Sequence, residues 1–192
     1  MIRKLNGLTL VATMLLLTGC GDLLSLHSLY TAQDQVFDAA LEGRWENEDN
    51  QLLVERQGNF YNVTLVSKKN PSDSTKYEVH LVDINGVRFA DLLEVDTIGH
   101  MFLRVRLTDG QLSLAFFDSQ WLRQRVLHED AEVEQGKTLA VLTARTSQLR
   151  KTVARFAHDA KSYDPKELVF RRSTVAGFAG ILPPPLHERS GT

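Results

Sequence analysis

Two dipeptides constrain this chain more than any other feature in it. Asn85-Gly86 lies between the runs 77–84 and 87–92, and Asp109-Gly110 lies between the runs 101–107 and 111–117. Asn-Gly and Asp-Gly accept positive φ at two successive positions at low cost, as a two-residue type I′ hairpin turn demands. The four flanking runs are therefore read as antiparallel strands. Glu48-Asp49-Asn50 and Gln57-Gly58-Asn59 place two more turns, joining 43–47, 51–56 and 59–67, and 68–75, with its Asn70-Pro71-Ser72-Asp73, reads as a polar connecting loop. From Leu41 onward the chain is a meander of roughly seven to nine short strands rich in β-branched and aromatic residues.

Alternation assigns the faces. Tyr61, Val63 and Leu65 share one side of their strand, as do Tyr77, Val79 and Leu81, then Leu103, Val105 and Leu107, then Leu112, Leu114 and Phe116. The opposite sides carry Asn62, Thr64, Lys76, Glu78, His80, Arg104, Arg106 and Ser113. One dry and one wet face is the pattern of an antiparallel sheet curled around, or packed over, a core. Two helices interrupt it. The first is short, capped by Asp118 or Ser119 and running through Trp121 and Leu122 to Leu127. The second follows a strand at 138–143, starts at a Thr146 cap and places Leu149, Val153, Phe156 and Ala160 on one stripe, with Arg150, Lys151, Arg155 and Lys161 off it. Asp164-Pro165 turns the chain into a last strand at 168–172. The glycines and the Pro183-Pro184-Pro185 run of 173–192 read as a disordered tail. The fold expected is mainly β: a strongly curved antiparallel meander with a C-terminal amphipathic helix, its globular part spanning 41–172.

The N-terminus has its own logic. Arg3 and Lys4 precede an apolar stretch from Leu8 to Leu17, and Leu17-Thr18-Gly19 leads into Cys20, the single cysteine of the chain. The stretch is too short for the roughly 20 apolar residues of a membrane-spanning helix and has the make-up of an export signal. Leu17-Thr18-Gly19-Cys20 resembles the lipobox of bacterial lipoproteins. That resemblance implies removal of 1–19, a thioether-linked diacylglycerol on Cys20 and usually a third acyl chain, such as palmitate, on its new amine. Two or three chains give stable anchoring where one does not. It also implies that 20–40, with a short helix within 34–40, is a lipidated tether. Because Gly21, not an acidic residue, follows Cys20, the expected address is the outer membrane of the cell envelope, facing the periplasm. A lone cysteine forms no internal disulfide, and a lipidated one is neither a catalytic thiolate nor a metal ligand.

Gly43-Arg44-Trp45, at the head of the first long strand, resembles the G-x-W of the lipocalins, in which the tryptophan closes one end of an eight-stranded ligand-holding barrel. The resemblance implies a lipocalin-like barrel or half-barrel with Trp45, Tyr61, Val63, Tyr77, Val79, Phe89, Leu103, Val105, Leu114 and Phe116 on its concave side. Trp45, Tyr61, Tyr77, Phe89, Val105 and Phe116 are the ligand-contacting candidates, and the same set equally describes a plain core.

Other chemistries find little footing. Loss of the leader removes Arg3 and Lys4 and no acid, taking the formal charge from −2 to −4, so the chain has no electrostatic footprint for nucleic acid. The six histidines are not at close ligand spacings, so no metal or other cofactor is expected, although His80 and His100 fall on strands near one another. There is no Gly-x-Ser-x-Gly, phosphate-binding glycine loop or His-Glu-x-x-His. Glu94 with Asp96 read as a solvated loop edge, and Arg104, Arg106, Arg123 and Arg125 as ordinary surface ion-pair partners. The expectation is a non-catalytic, membrane-anchored envelope protein holding an apolar or lipid-like ligand. Its alternative is an interaction protein docking an envelope partner through its sheet face or tail.

Overall fold

The computed structural model describes residues 23–95, 97–126, 131–132 and 140–173. Two short strands, β1 (Leu23–Ser25) and β2 (Gln35–Val36), and a 3-10 turn over Ala39–Leu41 lead into seven consecutive strands. These are β3 (Gly43–Glu46), β4 (Asn50–Gln57), β5 (Phe60–Ser67), β6 (Ser74–Ile84), β7 (Val87–Glu94), β8 (His100–Thr108) and β9 (Gln111–Phe116). Helix α1 (Ser119–Val126), strands β10 (Ala131–Glu132) and β11 (Ala140–Leu142), helix α2 (Thr146–Phe156) and a 3-10 turn over Ala160–Ser162 follow, before β12 (Leu168–Arg172). The tail at 174–192, the leader at 1–19, Cys20, Asp96 and Leu127 lie outside the described residues.

Both hairpin turns form as their dipeptides demand: φ is 52° and 75° at Asn85 and Gly86, and 48° and 75° at Asp109 and Gly110. Strands β3 to β9 pair in sequence order, each antiparallel to the last. β12 then inserts between the two ends of that meander. Leu168–Arg171 run opposite Leu114–Gln111 of β9, and Arg171 and Arg172 lie opposite Glu46 and Trp45 of β3. The result is a closed, eight-stranded antiparallel barrel, so of the barrel and the half-barrel it is the barrel that forms. Its interior is filled by Trp45, Leu52, Val54, Tyr61, Val79, Leu81, Leu103, Val105, Leu112 and Phe170.

Only part of the barrel wall meets water. On β6 to β9 the outward face is a second core, in which Val82, Ile84, Phe89, Phe102, Ala115 and Phe117 pack beneath Leu122, Leu149, Val153 and Tyr163. One-sided alternation therefore fails on these strands. His80 is 4% and Ser113 7% exposed, although both sit at positions that the alternation assigns to solvent. Phe89 is likewise outward, stacked 5.8 Å from Phe117, and not on the concave side. The run Val87-Arg-Phe-Ala-Asp-Leu92 has apolar residues at both parities, so its phase is not decided by pattern.

The segment expected to be a tether is, from Leu23 onward, part of the fold. β9 ends short of the start of β8, and β1 takes the edge so exposed, with Ser25 opposite His100; on its other side β1 runs parallel to β11. β5 ends short of the top of β6, and β2 fills that edge opposite Leu81 and Val82. Unpaired strand edges with backbone groups to satisfy thus recruit what precedes the barrel. A strand and a 3-10 turn stand where a helix within 34–40 is the sequence expectation. Leu29 is fully buried, and its amide donates to the buried Asp91 carboxylate at 2.5 Å; the other Asp91 oxygen meets His100 Nδ1 at 2.7 Å. Arg150 on α2 holds the same strap through the Leu29 carbonyl at 3.0 Å and Asp34 at 2.9 Å.

The helices differ in detail from expectation. Asp118 accepts the Trp121 amide at 2.8 Å and so caps α1. At α2 the cap position falls on Arg145, which makes no side-chain cap bond, and Thr146 is already helical. Leu149 and Val153 are buried as the stripe requires, but the helix stops at Phe156, so Ala157 and not Ala160 takes the next core position.

Removing the carboxylate in Asp91→Ala leaves a buried amide without its partner and frees His100. The substitution is expected to lower stability by about 3 kcal/mol, read as a fall in the urea midpoint with unchanged slope. A shift too small to resolve would show that Asp91 does not hold the strap.

Candidate functional site

The two ends of the barrel are built differently. At one end Trp45, fully buried, lies across the interior, and its indole N–H donates to the Leu41 carbonyl of the 3-10 turn at 2.8 Å. The Arg172 guanidinium, at the end of β12, sits 4.3 Å above the Trp45 ring and donates to the carbonyls of Glu42, at 2.9 Å, and Ala40. The C-terminal strand thereby locks the 3-10 turn over the tryptophan. Gly43 makes this fit possible: its φ is +119°, and a Cβ there would stand 2.9 Å from Arg172 Nη1. Tyr61, 2% exposed, finishes the floor, its hydroxyl donating to the Asp38 carbonyl at 3.2 Å and accepting the Asp38 amide at 2.8 Å.

Among the described residues the opposite end has no such plug. Its inward positions Val63, Leu65, Tyr77, Leu92, Leu114, Phe116 and Leu168 are apolar and only half buried. Register brings them together: Val63 is opposite Tyr77, Leu92 opposite Met101, Phe116 opposite Leu103, and Leu168 opposite Leu114. Burial pushes the Tyr77 phenol above its ordinary pKa, and the Glu94 carboxylate adds to the rise. An eight-stranded barrel has room inside for its own side chains or for one small ligand. Here large side chains fill the plugged half, where Leu107 is half buried, and most of the half-buried apolar wall belongs to the other.

Of the six candidates for ligand contact, Trp45, Tyr61 and Val105 belong to the filled floor, and Tyr77 and Phe116 to the open mouth. Phe89 belongs to neither. Leu65, Leu92 and Leu168 are mouth residues that sequence reasoning did not single out. Leu65 was legible by parity with Val63, whereas Leu168 needed the closure through β12.

A cleft of about 490 Å³ lies elsewhere, where the last residues of β8 run past the start of β7. Asp38, Asp83, Arg88, Arg104, Arg106 and His158 surround Leu41, Val105 and Leu107 there. Most of its charges are engaged, although the buried Nε of Arg104 has no hydrogen-bond partner among the described residues. Arg88 bonds Asp38 at 2.7 Å and Asp83 at 2.9 Å, Arg106 reaches Glu167 at 2.7 Å, and His158 Nε2 meets the Asn85 carbonyl at 2.8 Å. Any ligand in that cleft competes with these pairs, which the apolar mouth does not require.

The titratable groups of the outer wall serve the strap. His80 is held by Gln35 at 2.9 Å and Glu78 at 2.8 Å, with Tyr30 stacked at 3.8 Å. Asp91 and His100 have the orientation of the acid-imidazole half of a nucleophilic triad. The nearby Ser25 is fully buried, and its hydroxyl donates to the His27 carbonyl at 2.8 Å instead of to the imidazole. His80 and His100 do lie on one wall, but among the described residues no three potential ligands converge on a metal position. Compared with protein families, with curated proteins and with solved structures, the chain gives no match.

All four tyrosines of the chain, Tyr30, Tyr61, Tyr77 and Tyr163, have phenols raised chiefly by burial. A raised folded value means the neutral phenol favours the fold. That contribution is complete below the unfolded value of about 10 and is lost as pH climbs through the folded values. Phenolate absorbance of the native protein is therefore expected to rise at higher pH than that of the chain in guanidinium. Superimposable curves would contradict the burial of these rings.

Proposed function

We propose that this chain is a non-catalytic, membrane-anchored lipoprotein of the bacterial envelope that holds an apolar or lipid-like ligand in the mouth of its barrel. The carrying observation is the asymmetry of the interior: a floor of Trp45, Tyr61 and Phe170 under a locked 3-10 turn, and a half-buried apolar wall at the other end. An apolar wall with a few polar groups at its edge suits a hydrocarbon chain with a polar head. Tyr77, with Glu94 and Thr75 beside its hydroxyl, is the group at that edge that can orient such a head.

Two sequence resemblances support the same reading. Gly43-x-Trp45 at the first barrel strand, a closed eight-stranded meander and a tryptophan at one end together are similar to the lipocalins. The lipobox Leu17-Thr18-Gly19-Cys20 gives the anchor, through diacylglycerol on Cys20, and Gly21 after it favours the outer membrane. The barrel is attached through this one residue to the membrane whose lipids it would bind.

Two measurements test this reading. Intact mass of the protein from the bacterial membrane is expected to show a chain beginning at Cys20 and carrying acyl groups; an unmodified thiol with the leader attached refutes the anchor. A fluorescent fatty acid is expected to bind, and Leu92→Gln at the mouth to weaken it about tenfold, a loss of about 1.4 kcal/mol, with the thermal midpoint little changed. Wild-type protein that binds no such probe and yields no lipid on extraction refutes the ligand.

A further inference from the structure

We propose that the mouth takes its ligand by an ammonium head: the Glu94 carboxylate receives the charge, the Tyr77 hydroxyl accepts a second hydrogen bond, and the hydrocarbon chain lies on the apolar wall beneath them. The inference rests on the mouth being a ligand site and goes on to name the chemical class of the head.

Strand register places the carboxylate. Glu94 lies opposite Tyr77, and Leu92, two residues before it, lies opposite Val79. Directly opposed residues of an antiparallel pair share a face, and so do residues two apart on one strand. Tyr77, Val79 and Leu92 all pack in the barrel interior, so Glu94 stands on the inward face at its rim, half buried. Beside Asp96 in the sequence it reads as a solvated loop edge, but as the last residue of β7 it is still part of the wall.

This carboxylate has no counter-charge. Among the described residues it makes no ion pair and no side-chain hydrogen bond, in contrast to Asp91 on the outer face of the same strand, which holds an amide and an imidazole. The lysines around the rim are engaged with other acids or turned outward. Lys68 meets Glu46 at 2.8 Å, Lys69 meets Asp49 at 2.7 Å with Lys166 in electrostatic reach of the same acid, and Lys76 lies opposite Thr64 at the outward parity. The other inward positions at this end, Asn50, Ser67, Thr75 and Met101, are uncharged. A partly desolvated carboxylate without a cation is a standing cost, and an ammonium brought by a ligand removes it.

The common heads of amphiphiles fare differently here. An ammonium has three donors and no acceptor, matching the carboxylate and phenol oxygens, and its bond to a carboxylate is roughly twice as strong as a neutral one. A hydroxyl head can bond Tyr77 but leaves the Glu94 charge unanswered. A carboxylate head meets a like charge, with no basic side chain among the inward positions of this end, so only its chain holds it. Burial, followed by the field of Glu94, raises the Tyr77 phenol above its ordinary pKa. The two groups are thus close enough to share one head, and the phenol stays neutral at physiological pH. Leu92 is the one inward residue on β7 between Glu94 and Ala90, and Ala90 belongs to the filled interior, so a short chain suffices to reach the packed core.

The test uses the full acylated protein in phosphatidylcholine vesicles and follows displacement of the fluorescent fatty acid at neutral pH by octylammonium, octanol and octanoate, with protein-free vesicles as the baseline. Octylammonium is expected to act at about tenfold lower concentration than octanol, and octanoate to act last. Glu94→Gln is expected to bring octylammonium to the octanol value without moving octanol, and Glu94→Lys to put octanoate first. Equal values for the three in the wild type, or octanoate first, overturn the ammonium head and leave the mouth standing as a ligand site. A wild-type preference for octylammonium that survives Glu94→Gln places the charge recognition elsewhere and also overturns the proposal. No displacement by any of the three, together with no binding of the fluorescent probe, overturns both readings.

Discussion

Closure of the sheet by β12 is the contact on which the rest of the molecule depends. Without it β9 and β3 would each present a row of unpaired amides and carbonyls, the least tolerable feature of a small β-protein. The strand that closes them arrives after two helices and more than one excursion, and it pairs with both edges at once. Its last residue, Arg172, is also the group that stacks on Trp45 and holds the 3-10 turn. Closing the wall and plugging one end are therefore a single structural event, and Phe170, buried inside, adds its apolar area to both.

A barrel of this size could stand with its whole outer surface in water, but four of these strands do not. β6 to β9 carry apolar side chains on both faces, and α2, α1 and the N-terminal strap cover the outer one. The covering brings polar groups into a dry place, and each main one has a partner: Asp91 takes an amide and an imidazole, while His80 has Gln35 and Glu78. Buried polar groups left unpaired would cost about 1–3 kcal/mol each, so the strap and these residues are stable only together. The consequence for function is positional, because the strap fixes where β1 begins and hence where any N-terminal anchor leaves the domain.

The interior divides the labour between rigidity and access. Large aromatic side chains fill the interior beneath the plug, and those of the mouth stay half exposed. Filling a cavity with side chains favours a single packed state, and leaving an apolar wall exposed is a standing cost that a bound hydrocarbon would relieve. Most charges of the lateral cleft are already paired with one another or with neighbours, which is why the mouth and not that cleft is the better candidate.

The sequence by itself determined the local parts: both hairpins, the strand runs, the inward set of Tyr61, Tyr77, Val105 and Phe116, the position of Trp45, and helix α2 almost to its ends. Those are settled by neighbours a few residues apart, through turn dihedrals and side-chain parity. Only the tertiary structure decided that the meander closes, that β12 lies between β9 and β3, that Phe89 faces outward, and that 23–40 is strap and not tether. Each of these depends on contacts between residues tens of positions apart, such as Leu29 with Asp91 or Arg172 with Trp45. A strand with apolar residues at both parities, or a short polar segment that fills an exposed edge, carries no periodic signal of its own; its place is set by the surface it meets.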